Sequence, residues 1–209
     1  MVVSVTIVGE ADESCIIYRS GAQAGDYLCV TGHLGASVAG LKVLQRGKNE
    51  YLTSSNQQEF TPHFEPYTHA IERHLMPKPR TDIVRIIQNE VKVHAMIDIS
   101  DGLASEVHHL CDSSDVGALV YEHNIPVDVV TQKIAAEFSV SPVEYALYGG
   151  EEYELLFSLS KEEYDKLEQI TADVTIIGRI TEKEKGIVLV CEQGEQEPLH
   201  AGGWNHFRK

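Results

Sequence analysis

The residues of this chain best suited to chemistry lie in Ala95-Met96-Ile97-Asp98-Ile99-Ser100-Asp101-Gly102-Leu103, an apolar run that ends in two aspartates, a serine and a glycine. Alternation from Val93 to Ile99 predicts a strand, and Leu103, Val107 and Leu110 recur at the three-to-four spacing of a helix that buries one face. The turn between them is a strand-to-helix junction. A helix start gathers unpaired backbone N–H groups that favour anions, and Asp98 and Asp101 at such a turn can hold a hard cation through oxygen ligands. Phosphate with magnesium is the chemistry that fits both. Spacing alone leaves a second reading open, in which Ser100 or Asp101 caps the helix and Gly102 eases the turn.

A second junction has the same character. Tyr148-Gly149-Gly150-Glu151-Glu152-Tyr153-Glu154 leads into the apolar run Leu155 to Leu159. Two glycines allow close backbone approach to a ligand, and the carboxylates place negative charge at the mouth of a strand. A glycine turn with a solvated acidic face is the alternative. Two carboxylate-bearing junctions in one chain point to a shared site.

The elements that must position these groups can be read along the chain. Val2 to Val8 alternates as a strand without sequence neighbours to pair with, so self-association is expected. Tyr27 to Thr31 is a strand, followed by a helical pattern through Val38, Leu41 and Val43. No lysine follows Gly32 and Gly35 in Walker spacing, which favours a tight turn over a phosphate loop there. Lys48 to Thr61 reads as an exposed loop. Pro66 suits a first helical turn, with Tyr67, Ala70, Ile71 and Leu75 as its buried face, and Thr81 is expected to cap a second helix carrying Ile83, Val84, Ile86 and Ile87. Ala118 to Tyr121 predicts a strand and Val129 to Phe138 a helix. Ser141-Pro142-Val143-Glu144 has the form of a capping box opening a short helix that ends near Gly149. Leu155 to Leu159, Val174 to Ile180 and Ile187 to Cys191 predict strands, with a helix over Lys161 to Ile170. This pattern is an α+β domain with a mixed or antiparallel sheet and helices on one face.

Composition narrows the function classes. The 209 residues carry a formal net charge of −15, which opposes a nucleic-acid groove or an anionic membrane surface, and 43% hydrophobic residues suffice for a packed core. Cys15, Cys29, Cys111 and Cys191 are widely separated, and the ten histidines, His108 and His109 among them, form no zinc-binding spacing. Free thiols, and no basic n-region or long apolar run in Met1 to Glu10, give a cytoplasmic reading with no membrane partner. Trp204 is the only tryptophan and follows Gly202-Gly203, either as a C-terminal hydrophobic plug or as an aromatic wall for a ligand ring.

The segments SVTIVGEA (4 to 11), YRSGAQAGDYLCVTGHLGASVAGL (18 to 41), AMIDISDGLASEV (95 to 107), NIPVD (124 to 128), YGGEEYELLFSL (148 to 159) and AGGWN (201 to 205), in that order, resemble thiamine-monophosphate kinases. Relatives such as aminoimidazole ribonucleotide synthetase, selenophosphate synthetase and a hydrogenase-maturation protein share the two-domain plan without this set of strings. The resemblance implies the C-terminal domain of that superfamily over 14–209, with 1–13 as the last strand of an otherwise missing N-terminal ATP-binding domain. It also implies ATP- and magnesium-dependent phosphorylation of thiamine monophosphate to thiamine diphosphate, carried out by a homodimer, and negligible activity for these residues alone. Carried over by motif, Asp101 and Asp98 are magnesium ligands, Asp101 and Ser100 serve catalysis, and Arg19 and Ser100 meet phosphate. Gly149, Gly150, Glu151 and Glu152 border the substrate, and Trp204 packs near the thiamine rings. Glu152 departs from the aspartate usual in the family. A non-catalytic ligand-binding or oligomerising domain, or another enzyme of the superfamily, is the alternative.

Overall fold

The computed structural model describes residues 3–202. Seven strands form one sheet: β1 (Tyr27–Thr31), β2 (Val93–Asp98), β3 (Gly117–Tyr121), β4 (Leu155–Leu159), β5 (Val174–Thr181), β6 (Ile187–Val190) and β7 (Gln196–Pro198). Their order is β2-β4-β1-β5-β3-β6-β7, antiparallel throughout except for the parallel pair β3 and β6. The helices are α1 (Ala36–Thr53), α2 (Thr68–Leu75), α3 (Thr81–Glu90), α4 (Leu103–Ser114), α5 (Val129–Glu137), α6 (Pro142–Tyr148) and α7 (Lys161–Ile170). The fold is α+β with a mixed sheet, as expected.

Helices cover both faces of that sheet, not the one face expected from the sequence. Leu28, Val30, Leu156 and Ile177 pack with Leu103, Val107 and Leu110 of α4 and with Ala146 and Leu147 of α6. Cys29, Phe157 and Leu159 turn the other way, onto Ile83 and Ile87 of α3 and Leu167 of α7. The reason lies in β1 and β4, whose consecutive apolar residues bury both sides of a central strand. A third apolar cluster joins α1, α2 and α5 through Ala39, Val43, Ala70, Ile134 and Ala135.

Several local expectations change. No strand forms in residues 3–8, where Val3, Val5, Ile7 and Val8 stand 74 to 90% exposed, because alternation supplies a face but no partner edge. Helix α1 continues through Lys48 to Thr53, within the stretch expected to be loop; Lys48, Glu50 and Leu52 are good helix formers, and Thr53 Oγ1 donates to the Asn49 carbonyl at 2.9 Å. Arg80, not Thr81, is the N-cap residue of α3, and its guanidinium is occupied by Glu154, Asp82 and Asp173. Helix α6 begins at Pro142 as expected, yet Ser141 makes no side-chain cap bond. Leu75 is exposed, and β7 was not foreseen.

The register that matters most is β2 against β4. Asp98 pairs with Leu155 in an antiparallel ladder, so the outgoing end of β2 lies beside the incoming end of β4. The two acidic junctions, 50 residues apart in sequence, meet at one end of the sheet.

Candidate active site

Backbone hydrogen bonds tie the junctions together. Glu151 N–H donates to the Ser100 carbonyl at 2.8 Å, Tyr153 N–H to the Ile99 carbonyl at 2.8 Å, and Ile99 N–H to the Glu154 carbonyl at 2.8 Å. The approach is so close that a Cβ on Gly150 would lie 2.6 Å from the Ser100 carbonyl oxygen. Gly102, at φ +116°, leaves the same absence of room, with the Leu147 carbonyl oxygen 2.9 Å from where a Cβ would stand. Both glycines are there for contact between the turns.

The second turn is also strained. Glu151 and Tyr153 adopt φ of 65° and 55°, a left-handed conformation that costs non-glycine residues energy and persists where the surroundings enforce it, as at many functional sites. The Tyr153 hydroxyl donates to Glu151 Oε2 at 2.9 Å. That bond holds the Tyr153 proton more tightly than usual, and the charges of Glu151, Asp98 and Asp101 act in the same direction. Asp98 and Glu151 are exposed and Asp101 partly so. The end of the sheet therefore presents Asp98, Asp101 and Glu151 around Tyr153, and Ser100 sits in the turn beneath them.

One carboxylate supports this turn from inside. Glu106, in the first turn of α4, is 2% exposed, and its Oε1 accepts from Asp101 N–H at 3.1 Å and from Ser100 Oγ at 3.5 Å. Burial raises its pKa, and the neighbouring Asp101 charge adds to the shift. Asp101 N–H is thus already satisfied, which removes one donor from any anion cradle at the start of α4 and weights the turn towards cations. Among the described residues no group of three or more His, Cys, Asp or Glu side chains could hold a metal ion by itself. Magnesium commonly uses one or two carboxylates and completes its shell with water and substrate phosphates, so a pair such as Asp98 and Asp101 suits it.

Glu152 points elsewhere. Its side chain is fully buried; Oε1 accepts from Ser37 N–H at 2.8 Å, in the uncapped first turn of α1, and Oε2 accepts from Arg73 Nη2 at 3.2 Å. The same Arg73 Nη2 is closer to Glu154 Oε1, at 2.9 Å, and Glu154 also accepts from Arg80 Nη1 at 2.7 Å and from Thr31 Oγ1 at 2.5 Å. Glu154 is well compensated and Glu152 less so. Burial consequently pushes the Glu152 carboxyl up to about 7, against the downward pull of Ser37 N–H and Arg73. The sequence-based expectation that Glu152 borders the substrate meets a side chain spent inside the protein, whose length reaches the start of α1.

The remaining expected residues fall in different places. Gly149 is buried against Tyr145 and Val38, and Gly150 faces the Ser100 turn. Arg19 is exposed on a segment running along the outer edge of β2; Met96 N–H donates to the Tyr18 carbonyl, and Gly21 lies against the His94 carbonyl. That direction carries the chain from Tyr18 away from the Asp98 end, so these contacts do not bring Arg19 to the junction. Trp204 lies outside the described residues. Sequence reading missed Tyr153, Glu106 and the Arg73 and Arg80 pair. Glu106 alone left a signal, an acidic residue on the apolar face of α4 beside Leu103, Val107 and Leu110.

Comparison with known proteins places this geometry in a family. Residues 23–191 match the family model "AIR synthase related protein, C-terminal domain". The thiamine-monophosphate kinase of Aquifex aeolicus is 35% identical over 206 residues, covering 98% of this chain and 58% of its own length. That of Bacillus subtilis is 33% identical, covering 100% and 61%. The chain thus spans about three fifths of the curated relatives it matches. Among solved structures, AaThiL complexed with AMPPCP and TMP superposes with a TM-score of 0.73 at 34% identity, over 91% of this chain and 54% of that one. A hydrogenase maturation protein, HypE, in complex with ATP superposes at 0.64 with 17% identity, over 88% and 52%, and shares the fold. On the match of its residues 23–191, this chain belongs to the AIR synthase related proteins through their C-terminal domain.

Proposed function

We propose that this chain supplies the C-terminal part of a thiamine-monophosphate kinase, which phosphorylates thiamine monophosphate with ATP. The observation that carries the reading is the meeting of Asp98, Ser100 and Asp101 with Gly149, Gly150 and Glu151 at one end of the sheet. The relatives of similar sequence and the neighbour bound to AMPPCP and TMP support it.

Phosphoryl transfer needs alignment and charge neutralisation more than covalent participation by the protein. Asp98 and Asp101 would hold magnesium, which supplies positive charge to phosphate oxygens when bound. Ser100 would turn its hydroxyl away from Glu106 Oε1, which it meets at 3.5 Å, to donate to a phosphate oxygen. Glu151, oriented by Tyr153, would line the substrate side, with Gly150 keeping the two turns close. Trp204 would pack on the thiamine rings, and Arg19 would meet phosphate only if its segment shifted along β2. Glu152 would act indirectly, by holding the start of α1 against the second turn. The working form would be a cytoplasmic homodimer. The exposed apolar run Val3, Val5, Ile7 and Val8 supports association, and among the described residues no helix is long and apolar enough to cross a membrane.

Calorimetric titration of the 209-residue chain with thiamine monophosphate, with and without magnesium and ATP, tests this reading. Binding that needs magnesium and weakens at least about tenfold in Asp101→Ala is expected, as for loss of a charge-assisted contact. Equal binding by both proteins would remove Asp101 from the site. Binding without any dependence on magnesium or ATP would favour the second reading, a ligand-binding domain without catalysis.

A further inference from the structure

We propose that Glu106 is a positioning residue, which fixes the Asp101 carboxylate for a divalent cation by holding the Ser100–Asp101 turn from inside the fold. This rests on the reading of Asp98 and Asp101 as cation ligands.

The contacts of Glu106 are one-sided. Oε1 takes the Asp101 N–H at 3.1 Å and, more loosely, the Ser100 hydroxyl at 3.5 Å. Oε2 is buried and has no hydrogen-bond partner among the described residues. A buried acceptor left without a donor is a net cost to folding, and an apolar side chain beside Leu103, Val107 and Leu110 would bury area without it. What Glu106 provides is reach. From the first turn of α4 it spans to a turn that Gly102, at φ +116°, leaves without a side-chain cap. With Gly102 N-terminal to the helix and Gly150 against the Ser100 carbonyl, Glu106 is the side-chain tether that sets where Asp101 stands.

Reach and charge can be separated. Glu106→Gln keeps the length and an acceptor oxygen without the charge, whereas Glu106→Asp keeps the charge and withdraws the oxygen by one methylene. In the full 209-residue chain, amide hydrogen exchange at Asp101 reports the tether, and paramagnetic broadening of the Asp98 to Asp101 amides by Mn2+ reports the cation. Glu106→Gln is expected to keep both readouts within about threefold of wild type. Glu106→Asp is expected to speed Asp101 exchange and weaken Mn2+ binding by about tenfold each, the scale for leaving one buried N–H without its acceptor, with Leu156 exchange unchanged as the control for folding. Unchanged Asp101 exchange in Glu106→Asp would overturn the proposal. So would loss of Mn2+ binding in Glu106→Gln, which would make the carboxylate a ligand itself. Absence of Mn2+ broadening in wild type would instead sink the reading of Asp98 and Asp101, and Asp101 exchange would still decide whether Glu106 holds the turn.

Discussion

Glu151 and Glu152 are adjacent, identical in chemistry and opposite in use. The left-handed backbone of Glu151 presents its carboxylate outward with Tyr153, while Glu152 turns in to Ser37 and Arg73. The inward one has a measurable consequence. A glutamate ordinarily titrates near 4.5, and the folded chain holds the Glu152 proton up to about 7. Between those values the folded state binds more protons than the unfolded state, so this contribution to stability is complete below about pH 4.5 and is lost as pH rises through 7. Glu152→Gln removes the slope. Urea unfolding at pH 5 and pH 8 is expected to show the variant gaining roughly 2 kcal/mol on wild type between the two. A difference that stays constant with pH would mean that Arg73 keeps Glu152 ionised throughout.

The next scale is the grip between elements. Arg73 on α2 reaches the second acidic turn before β4, and through Glu152 that turn also holds the first turn of α1. Arg80, between α2 and α3, closes the same network on Glu154 and Asp173. A buried pair of this kind adds little over apolar packing, but removing one partner leaves an uncompensated charge. Arg73→Met is thus expected to destabilise the chain by about 3 kcal/mol in chemical denaturation, and less at pH 5, where Glu152 carries its proton. A loss below about 1 kcal/mol at pH 8 would show that Arg80 and Thr31 suffice. None of this grip was evident from sequence. Arg73 lies 79 residues from Glu152, and the helical pattern around it marks only the apolar face of α2.

At the scale of the molecule, the described residues fold around one sheet, and the chain spans about three fifths of the relatives it resembles. If the ATP-binding half of the site lies in the part of those relatives that this chain does not cover, the chain alone should show negligible turnover. Coupled measurement of thiamine diphosphate formation should detect activity once the N-terminal portion of a relative is supplied, and turnover by the 209 residues alone would overturn this division. The sequence by itself determined β1, β4 and α7 to the residue, the helix after Gly102, the free cysteines and the two acidic junctions, because these follow from local periodicity, turn chemistry and spacing. Alternation in residues 3–8 was equally clear and formed no strand, since a strand exists only where another edge accepts its hydrogen bonds. Tertiary structure alone decided that the junctions meet, through the pairing of Asp98 with Leu155, and that Glu152 turns inward while Glu106 reaches Asp101. Those outcomes depend on register and on distances between residues far apart in the chain, which no local pattern encodes.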